Sequence, residues 1–438
     1  MKMNRPLVRS ACVLVAGLGL AATSAFGQNN PQAERYIIQL KPGHAPGQVA
    51  AAHGVAARHV YTQVLNGFAA SVPAGRLAAL ANDPRVASIV PDQQVFAFGK
   101  PGPPPPPPVT YPDVKAPPAE GVPPGVARVG ARKVFETGTG VGVAVLDTGL
   151  DFNHPELPIG AGSFSSFGGT AQDDGHHGTH VGGIVAAKED GAGVVGVAPE
   201  ATLYAVKVLN GEGSGNDSDI IAGLDWVTAN AHLVSPPIRV VNMSLGRSSS
   251  PFDTPMRTAI QSVVNLAGVT VVAAAGNDPS TEVSRMVPAG FPEVIAVAST
   301  SAEKGTSDQS LVIDADTASF FTTDGKFNAR TGIGVAISAP GEVRENISGG
   351  YVYSEGILST AMGGGHEMMS GTSMAAPHAA GVVALLLQKE PALTPAQVKA
   401  RMMSGDKEGA APLDSPTTTY TSDREREGVL YAPKVLKY

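Results

Sequence analysis

Continuous apolar runs, alternating with stretches of helical periodicity, constrain the fold of this chain more than any other feature. Strands that are buried on both faces consist of such runs, and they occur almost only in parallel sheets that helices cover. The helical stretches between them are Ser218–Leu233 and Thr254–Leu266. We therefore predict an α/β domain over residues 128–438, built on a doubly wound parallel sheet. The predicted strands are Val141–Asp147, Thr202–Leu209, Val240–Leu245, Val269–Asn277 and Val294–Ser299.

A smaller unit precedes this domain, and we assign it to residues 28–98. Its elements follow the order β-α-β-β-α-β, which predicts a ferredoxin-like layer sandwich of the α+β class. The Asn66-Gly67 pair is a hairpin turn signal within this order. The predicted segments are a strand at Tyr36–Lys41, a helix near Gln48–Gly54, strands within His59–Val72, a helix at Ala74–Ala81 and a strand at Val86–Phe96.

Residues 1–27 have the pattern of an export signal. A basic start is followed by an apolar stretch from Ala11 to about Ala22, and then by the small residues Ala25 and Gly27. The apolar stretch is too short to span a bilayer. We therefore expect a secreted protein, extracellular or periplasmic, that has no membrane contact once the signal is removed. Residues 99–127, with six consecutive prolines, are interpreted as a linker.

The charge of the chain excludes one class of function. Its 31 basic and 38 acidic residues give a formal net charge of −7, and no basic block stands out. Proteins that bind the phosphate backbone need clustered positive charge. No nucleic-acid partner is therefore expected.

Four short motifs supply the residue types of acyl-transfer catalysis. They are centred on Asp147, His177, Asn277 and Ser373. A serine hydroxyl becomes an effective nucleophile when an imidazole takes its proton, and a buried carboxylate orients that imidazole. An asparagine side chain can donate a hydrogen bond to the oxyanion that develops on the carbonyl oxygen. Asp147 and Asn277 also end predicted parallel strands, where active sites of such sheets gather.

The order and the text of these motifs resemble the subtilisin-like serine peptidases (subtilases). The order Asp, His, Ser is the subtilisin order. The matching text is Val145–Gly149, His177–His180, Ala275–Asn277 and Gly371–His378, together with Ala201–Leu209, and the resemblance covers roughly residues 129–405. It implies that Asp147, His177 and Ser373 form the catalytic triad, and that Asn277 and the backbone N–H of Ser373 form the oxyanion hole.

The same resemblance implies how a substrate binds. Subtilases hold the peptide as an added β-strand between two enzyme segments, so main-chain hydrogen bonds supply much of the contact. The pocket for the residue before the scissile bond would have small walls at 274–276 and 288–290, which favours large apolar or aromatic side chains. One departure is Gly175, where family members often carry a polar residue that contacts substrate. The matching substrate-binding residues are Ser244, Leu245 and Gly246 in one segment, and Gly213, Ser214 and Gly215 in the other.

Two metal hypotheses arise from the sequence. Lys188–Gly196 resembles the calcium loop of the family, with Asp190 and Glu156 as the matching side-chain ligands. A structural calcium ion is expected on that basis. The histidines His176, His177 and His180, with two aspartates nearby, also permit a zinc cluster, although no second motif completes it.

The predicted function is therefore that of a serine endopeptidase that cuts polypeptides and is made as a self-processed precursor. The unit at 28–98 resembles the inhibitory propeptide of the family and would act as an intramolecular inhibitor of a monomeric enzyme. Phe98-Gly99 is the favoured self-cleavage bond. Two alternatives remain open, a catalytically silent binding protein on the same fold and a serine esterase.

Overall fold

The computed structural model describes residues 34–98, 120–308, 313–349, 351–406 and 427–438. The predicted signal at 1–27 and residues 99–119 of the predicted linker lie outside these ranges. Within the described ranges, no helix combines the length and the apolar character that a membrane crossing requires.

The N-terminal unit is a four-stranded antiparallel sheet with the order β2-β3-β1-β4, which is the order of the predicted ferredoxin-like fold. Side chains alternate between the two faces of a strand, and β1 uses both faces. Ile38 packs into the core of the unit itself with Phe68 and Leu80, whereas its neighbour Ile37 packs into a core shared with the large domain. The elements are β1 Glu34–Leu40, α1 Pro46–Ala52, β2 Ala57–Tyr61, β3 Gly67–Val72, α2 Ala74–Ala81 and β4 Val86–Pro91.

The unit differs from the prediction in two places. Asn66-Gly67 does not form a two-residue hairpin turn, because a five-residue loop, 62–66, joins β2 to β3. The predicted last strand is divided, and its second half is a separate strand, β5 Gln94–Ala97, which pairs with the large domain instead of its own sheet. The physical reason is the same in both places: backbone groups of these segments hydrogen-bond to the large domain.

The large domain is a seven-stranded parallel sheet with the order β15-β14-β12-β10-β6-β8-β7. Two apolar cores cover its opposite faces, as a doubly wound fold requires. The strands are β6 Gly142–Asp147, β7 Ile159–Ser165, β8 Thr202–Lys207, β10 Ile238–Met243, β12 Thr270–Ala274, β14 Ile295–Ser301 and β15 Ile337–Glu342. The helices are α3 Pro124–Arg128, α4 His177–Ala186, α5 Asp217–Asn230, α6 Thr254–Asn265, α7 Thr372–Lys389, α8 Pro395–Met403 and α9 Ala432–Val435.

Short strands and hairpins surround the carboxyl-terminal edge of this sheet. Three of them, β9, β11 and β13, form a second sheet together with β5, in the order β13-β11-β5-β9. Two antiparallel hairpins, β16–β17 and β18–β19, lead from β15 to the start of α7. The bounds are β9 Ser214–Asn216, β11 Leu245–Ser248, β13 Met286–Val287, β16 Arg344–Ser348, β17 Tyr351–Glu355, β18 Ile357–Ala361 and β19 Gly365–Met369.

Candidate active site

Asp147 and His177 form a buried hydrogen bond. Asp147 is the last residue of β6 and His177 is the first of α4, so a strand end and a helix start bring them together. His177 Nδ1 lies 2.7 Å from Asp147 Oδ1, and the two residues are 3% and 0% exposed. Because the carboxylate accepts at Nδ1, the proton of a neutral His177 lies there and Nε2 is left as an acceptor.

The surroundings of His177 raise its pKa. Burial by itself lowers the pKa of an imidazole, because it disfavours the charged form. The negative charge of Asp147 and its hydrogen bond oppose burial, and Asp173 and Glu367 add to their effect. The net result is a pKa above the ordinary value of 6.5.

Asp173 fixes the turn that presents His177. One of its oxygens accepts the hydroxyl of Thr148 at 2.7 Å, and the other accepts the backbone N–H and the hydroxyl of Thr179 at 2.9 and 2.5 Å. The Thr148 hydroxyl accepts in turn the N–H of Gly178 at 2.9 Å. A buried carboxylate therefore satisfies N–H groups in the first turn of α4, where the helix has no internal acceptors. The sequence motifs did not single out Asp173 for this role.

Thr372 determines the orientation of the Asn277 amide. The backbone N–H of Thr372 lies 2.9 Å from the Asn277 oxygen Oδ1, and its hydroxyl lies 2.8 Å from the same atom. A backbone N–H can only donate, so Oδ1 must face Thr372. The amide nitrogen Nδ2 is thereby turned into the cleft as a donor.

Ser373 lies in the first turn of α7, and its hydroxyl is oriented by Ser244. Its Oγ donates to the backbone carbonyl of Ser244 at 3.0 Å, while the Ser244 hydroxyl donates to the Ser373 carbonyl at 2.8 Å. The Nε2 atom of His177 is buried without a hydrogen-bond partner among the described residues. Helices α4 and α7 pack against each other, but in this arrangement no hydrogen bond joins the Ser373 hydroxyl to His177.

The groove between β9 and β11 is filled by β5 of the N-terminal unit. β5 runs antiparallel to both strands, and the N–H groups of Ala97 and Phe98 donate to the carbonyls of Gly213 and Ser244 at 2.9 and 3.2 Å. The six residues predicted to bind substrate all pair with, or accept from, this segment. They are Ser244, Leu245 and Gly246 on one side and Gly213, Ser214 and Gly215 on the other.

The carbonyl oxygen of Phe98 lies between the Asn277 amide and Gly371. Asn277 Nδ2 donates to it at 3.0 Å. Gly371 has a φ of 150°, and a Cβ atom there would lie 2.6 Å from this oxygen, so the approach requires glycine. The Phe98 ring lies against Gly246, where a Cβ atom would come within 2.6 Å of it. The backbone of the N-terminal unit therefore ends its described segment with a carbonyl group held in the cleft.

The other histidines near His177 have separate surroundings. His180 is fully buried, its Nε2 lies 2.9 Å from the Ile357 carbonyl, and burial lowers its pKa to about 3. His378 is buried as well, and burial lowers its pKa to about 4. The side chain of His176 is half-exposed. No group of three or more His, Cys, Asp or Glu residues in the described ranges could hold a metal ion, so the zinc hypothesis gains no support.

The residues predicted to bind calcium are hydrogen-bonded to protein donors in this structure. Both carboxylate oxygens of Glu156 face hydrogen-bond donors, Nε2 of His366 at 2.8 Å and the N–H of Val194 at 3.0 Å. Asp190 accepts the N–H of Ala192 at 3.2 Å. A cation would have to replace these donors. Calcium would therefore bind only with a rearrangement of these side chains.

Comparison with known proteins agrees with this geometry. A profile described as "Subtilase family" matches residues 138–420, and one described as "Peptidase inhibitor I9" matches residues 35–97. Subtilisin E from Bacillus subtilis (strain 168) is 37% identical over 293 residues, which cover 65% of this chain and 66% of that protein. An extracellular serine proteinase from Thermus sp. (strain Rt41A) is 37% identical over 348 residues, which cover 78% of this chain and 72% of that protein.

A solved structure is similar as well. It is described as a cold adapted subtilisin-like serine proteinase, and it has 31% sequence identity and a TM-score of 0.51 over 68% of this chain and 91% of that chain. The profile for the subtilase family covers more than half of the chain, and the inhibitor profile covers the unit that carries β5. The chain therefore belongs to the subtilase family, with a peptidase inhibitor I9 unit ahead of its subtilase domain.

Proposed function

We propose that this chain is a serine endopeptidase that is made as a precursor and held inactive by its own N-terminal unit. One observation carries the proposal: β5 lies in the groove as an added strand, and the Phe98 carbonyl accepts from Asn277 Nδ2 at 3.0 Å. A peptide bond that is about to be cut, or the acid that remains after the cut, must present its carbonyl in this way. The segment therefore blocks the same groove that a polypeptide substrate would use.

The proposed reaction is acyl transfer at Ser373. The hydroxyl turns from the Ser244 carbonyl to His177 Nε2, gives its proton to that nitrogen and attacks the scissile carbonyl carbon. Asn277 Nδ2 donates to the oxyanion that forms, while Asp147 stabilises the imidazolium. His177 then protonates the leaving amine, and an ester remains on Ser373. Water, deprotonated by His177, attacks the ester and releases the acid and the serine hydroxyl.

We assign the self-cleavage to the Phe98-Gly99 bond. The main-chain pairing of residues 94–98 and the position of the Phe98 carbonyl support this assignment. It implies an inhibitory unit at 28–98, a linker at 99–127 and a catalytic domain at 128–438, in a protein exported by the signal at 1–27. A monomer whose substrates are polypeptides is sufficient for this function. Phe98 and the small residues that surround it favour an aromatic or large apolar residue before the scissile bond.

The test is to express the chain with and without Ser373→Ala in a secreting host. We expect the wild type to be cut after Phe98, to release peptides from casein and to react at Ser373 with a phosphonyl fluoride. The Ser373→Ala form should be secreted as an uncut precursor. If the wild type is also uncut and inert, the protein is a silent binding protein. If it hydrolyses short esters but not casein, it is an esterase.

A structural calcium ion remains a separate proposal that comes from the family resemblance. It is supported by the position of Glu120, Glu156 and Asp190, whose carboxylates all accept backbone N–H groups of the loop 190–194. Oxygen donors are what calcium prefers, but binding would require these side chains to exchange their amide partners for the ion. Thermal unfolding in calcium and in EDTA is the test. A Tm raised by calcium in the wild type and unchanged in Glu156→Gln supports the ion, and equal Tm values in calcium and EDTA reject it.

A further inference from the structure

Glu367 is held beside the catalytic histidine by a hairpin that is attached to helix α4. The hairpin is β18–β19, and Glu367 lies on its second strand, four residues before Gly371. The hydroxyls of Ser359 and Thr360 on the first strand donate to carbonyls of α4 at 2.7 and 2.8 Å. The backbone carbonyl of Glu367 lies 3.2 Å from Nε2 of His180. These contacts hold the strand that carries Glu367 against α4.

The carboxylate of Glu367 lacks a strong partner there. Its atom Oε1 is buried without a hydrogen-bond partner among the described residues, and Nδ1 of His176 lies 3.6 Å from it. The side chain remains 30% exposed, so a ligand can reach it. Burial raises the pKa of Glu367, the charge of His176 opposes that increase, and the charge of Asp173 adds to it. An added cation would therefore stabilise the ionised carboxylate.

The position of Glu367 indicates which part of a substrate it would meet. β5 occupies the half of the cleft that precedes the scissile bond, and this half ends at the Phe98 carbonyl. The other half of a substrate must continue past His177, because that residue protonates the leaving amine. His176 directly precedes His177 in the chain, the carboxylate of Glu367 lies 3.6 Å from His176 Nδ1, and its charge acts on His177. They therefore line the path of the leaving group.

We propose that the carboxylate of Glu367, which lies beside the half-exposed His176, forms a subsite for a lysine or arginine side chain in the first two residues after the scissile bond. The proposal rests on the peptidase function proposed above and names a preference of the same site. A cationic group could pair with Glu367 through the exposed part of its side chain and would meet the summed negative charge of Glu367 and Asp173. The precursor itself carries a residue of this type, since Lys100 is the second residue after Phe98.

The test uses the processed enzyme and quenched fluorescent peptides that share the acyl half Val-Phe-Ala-Phe. The leaving halves begin with Gly-Lys, Gly-norleucine, Gly-Gln, Lys-Gly or norleucine-Gly. We expect kcat/KM to be about 5- to 10-fold higher for lysine than for norleucine at one of the two positions, as a partly buried charge pair would give. High salt should reduce this ratio, because it screens the charge pair.

The variant Glu367→Gln keeps the size of the side chain and removes its charge. It should lower the lysine-to-norleucine ratio to about 1 while still cleaving the norleucine peptides. The matched control is Glu200→Gln, since Glu200 binds the hydroxyls of Thr137 and Thr139 on another part of the surface. That control should retain the wild-type ratio.

Three outcomes would overturn the proposal. Equal cleavage of lysine and norleucine peptides by the wild type would remove the subsite, and this result does not depend on how any variant folds. A lysine preference that persists in Glu367→Gln would assign the preference to another residue. If the wild type cleaves none of the peptides and does not react with a phosphonyl fluoride, the proposed function fails and the subsite fails with it.

Discussion

Asn277 is fixed at one end and available at the other, and this division gives it its proposed role. Thr372 binds Oδ1 through two donors, and Nδ2 donates to the Phe98 carbonyl. Loss of the side chain removes a donor that would act most strongly on the oxyanion, so the effect should fall on turnover. We expect Asn277→Ala to lower kcat by about 10²–10³, the magnitude known for the oxyanion-hole asparagine of a subtilisin.

Steady-state kinetics and thermal unfolding separate this prediction from a structural effect. KM and Tm should change little in Asn277→Ala, because the residue is at the cleft and not in an apolar core. A loss of activity that is matched by a large loss of Tm would contradict the catalytic role.

His177 is the single residue that sets the expected pH dependence of the activity. The proposed base is the neutral imidazole, so activity should rise as pH increases through the pKa of His177. Asp147 and its neighbours raise that pKa, which moves the midpoint of the rise above the ordinary value of 6.5. The profile of kcat/KM between pH 5 and 10 measures the midpoint. A midpoint clearly below 6.5 would contradict the charge effect of Asp147.

The residues of the candidate site divide into those that the sequence predicts and those that it does not. Asp147, His177, Asn277 and Ser373 belong to dense motifs whose residue types are needed for the chemistry. Thr372 is different, because its effect is to orient the amide of Asn277, which lies 95 positions away in the chain. Such an effect depends on a distance in space, and a single sequence does not contain it. For the same reason the sequence placed Asp173 only in the zinc hypothesis and gave no role to Glu367.

Helix α5 is the element to which the N-terminal unit docks, and Asp225 on this helix makes the most concentrated contact. One carboxylate oxygen of Asp225 accepts the N–H groups of Thr62, Gln63 and Val64 at 3.0, 2.8 and 3.0 Å. Asp92 of the N-terminal unit accepts the N–H and hydroxyl of Ser218 in the first turn of the same helix at 2.9 and 2.7 Å. A negative side chain at a helix start is favourable because it satisfies N–H groups there.

We expect Asp225→Ala to weaken the inhibition by the N-terminal unit. Loss of hydrogen bonds to a charged group costs about 1.5–3 kcal/mol, which corresponds to roughly 10- to 100-fold weaker binding. The measurement is the interval between cleavage of the precursor on a gel and the appearance of peptidase activity. This interval should become shorter in Asp225→Ala.

The matched control lies on the same helix. Thr228 donates to the Leu224 carbonyl within α5, so Thr228→Ala should leave the interval as it is in the wild type. An unchanged interval in Asp225→Ala would show that the contact contributes little to inhibition.

The strands of the large sheet that the sequence predicts have continuous apolar runs, and the two that it does not predict, β7 and β15, lack them. All five predicted strands of the large domain are present with small shifts at their ends, because each is a continuous apolar run. β7 was missed because its sequence, Ile-Gly-Ala-Gly-Ser-Phe-Ser, has little apolar character and lies at the edge of the sheet. β15 was missed because it contains Pro340, Gly341 and the buried Glu342.

At the scale of the whole molecule, the buried Glu342 makes the stability of the fold depend on pH. Its side chain is 0% exposed, and burial raises the pKa of Glu342 to about 7. The hydroxyls of Ser354 and Ser319 lower this pKa, but by less than burial raises it. The unfolded chain loses this proton near pH 4.5, whereas the folded chain keeps it to about pH 7. The contribution of Glu342 to stability is therefore fully present below pH 4.5 and is lost as pH rises through 7.

We expect Glu342→Gln to increase the free energy of unfolding at pH 8 by up to about 3 kcal/mol, since a neutral amide has no such ionisation cost. At pH 4.5 the two proteins should be nearly equal. Urea unfolding of the Ser373→Ala precursor at both pH values measures this difference without self-digestion. Glu282→Gln, at an exposed acid, is the control. An equal loss of stability at both pH values in Glu342→Gln would contradict the ionisation argument.

The sequence by itself determined the class of this protein: the apolar runs require a parallel sheet, and the four motifs supply the residues of the candidate site. Those features are local in the chain, and their physical demands can be evaluated residue by residue. The tertiary structure decided how the N-terminal unit is held, because β5 leaves its own sheet to pair with β9 and β11, and Phe98 presents its carbonyl to Asn277. Backbone N–H and C=O groups are the same in nearly every residue, so the sequence does not show which distant segments they join. Only the folded chain reveals those hydrogen bonds.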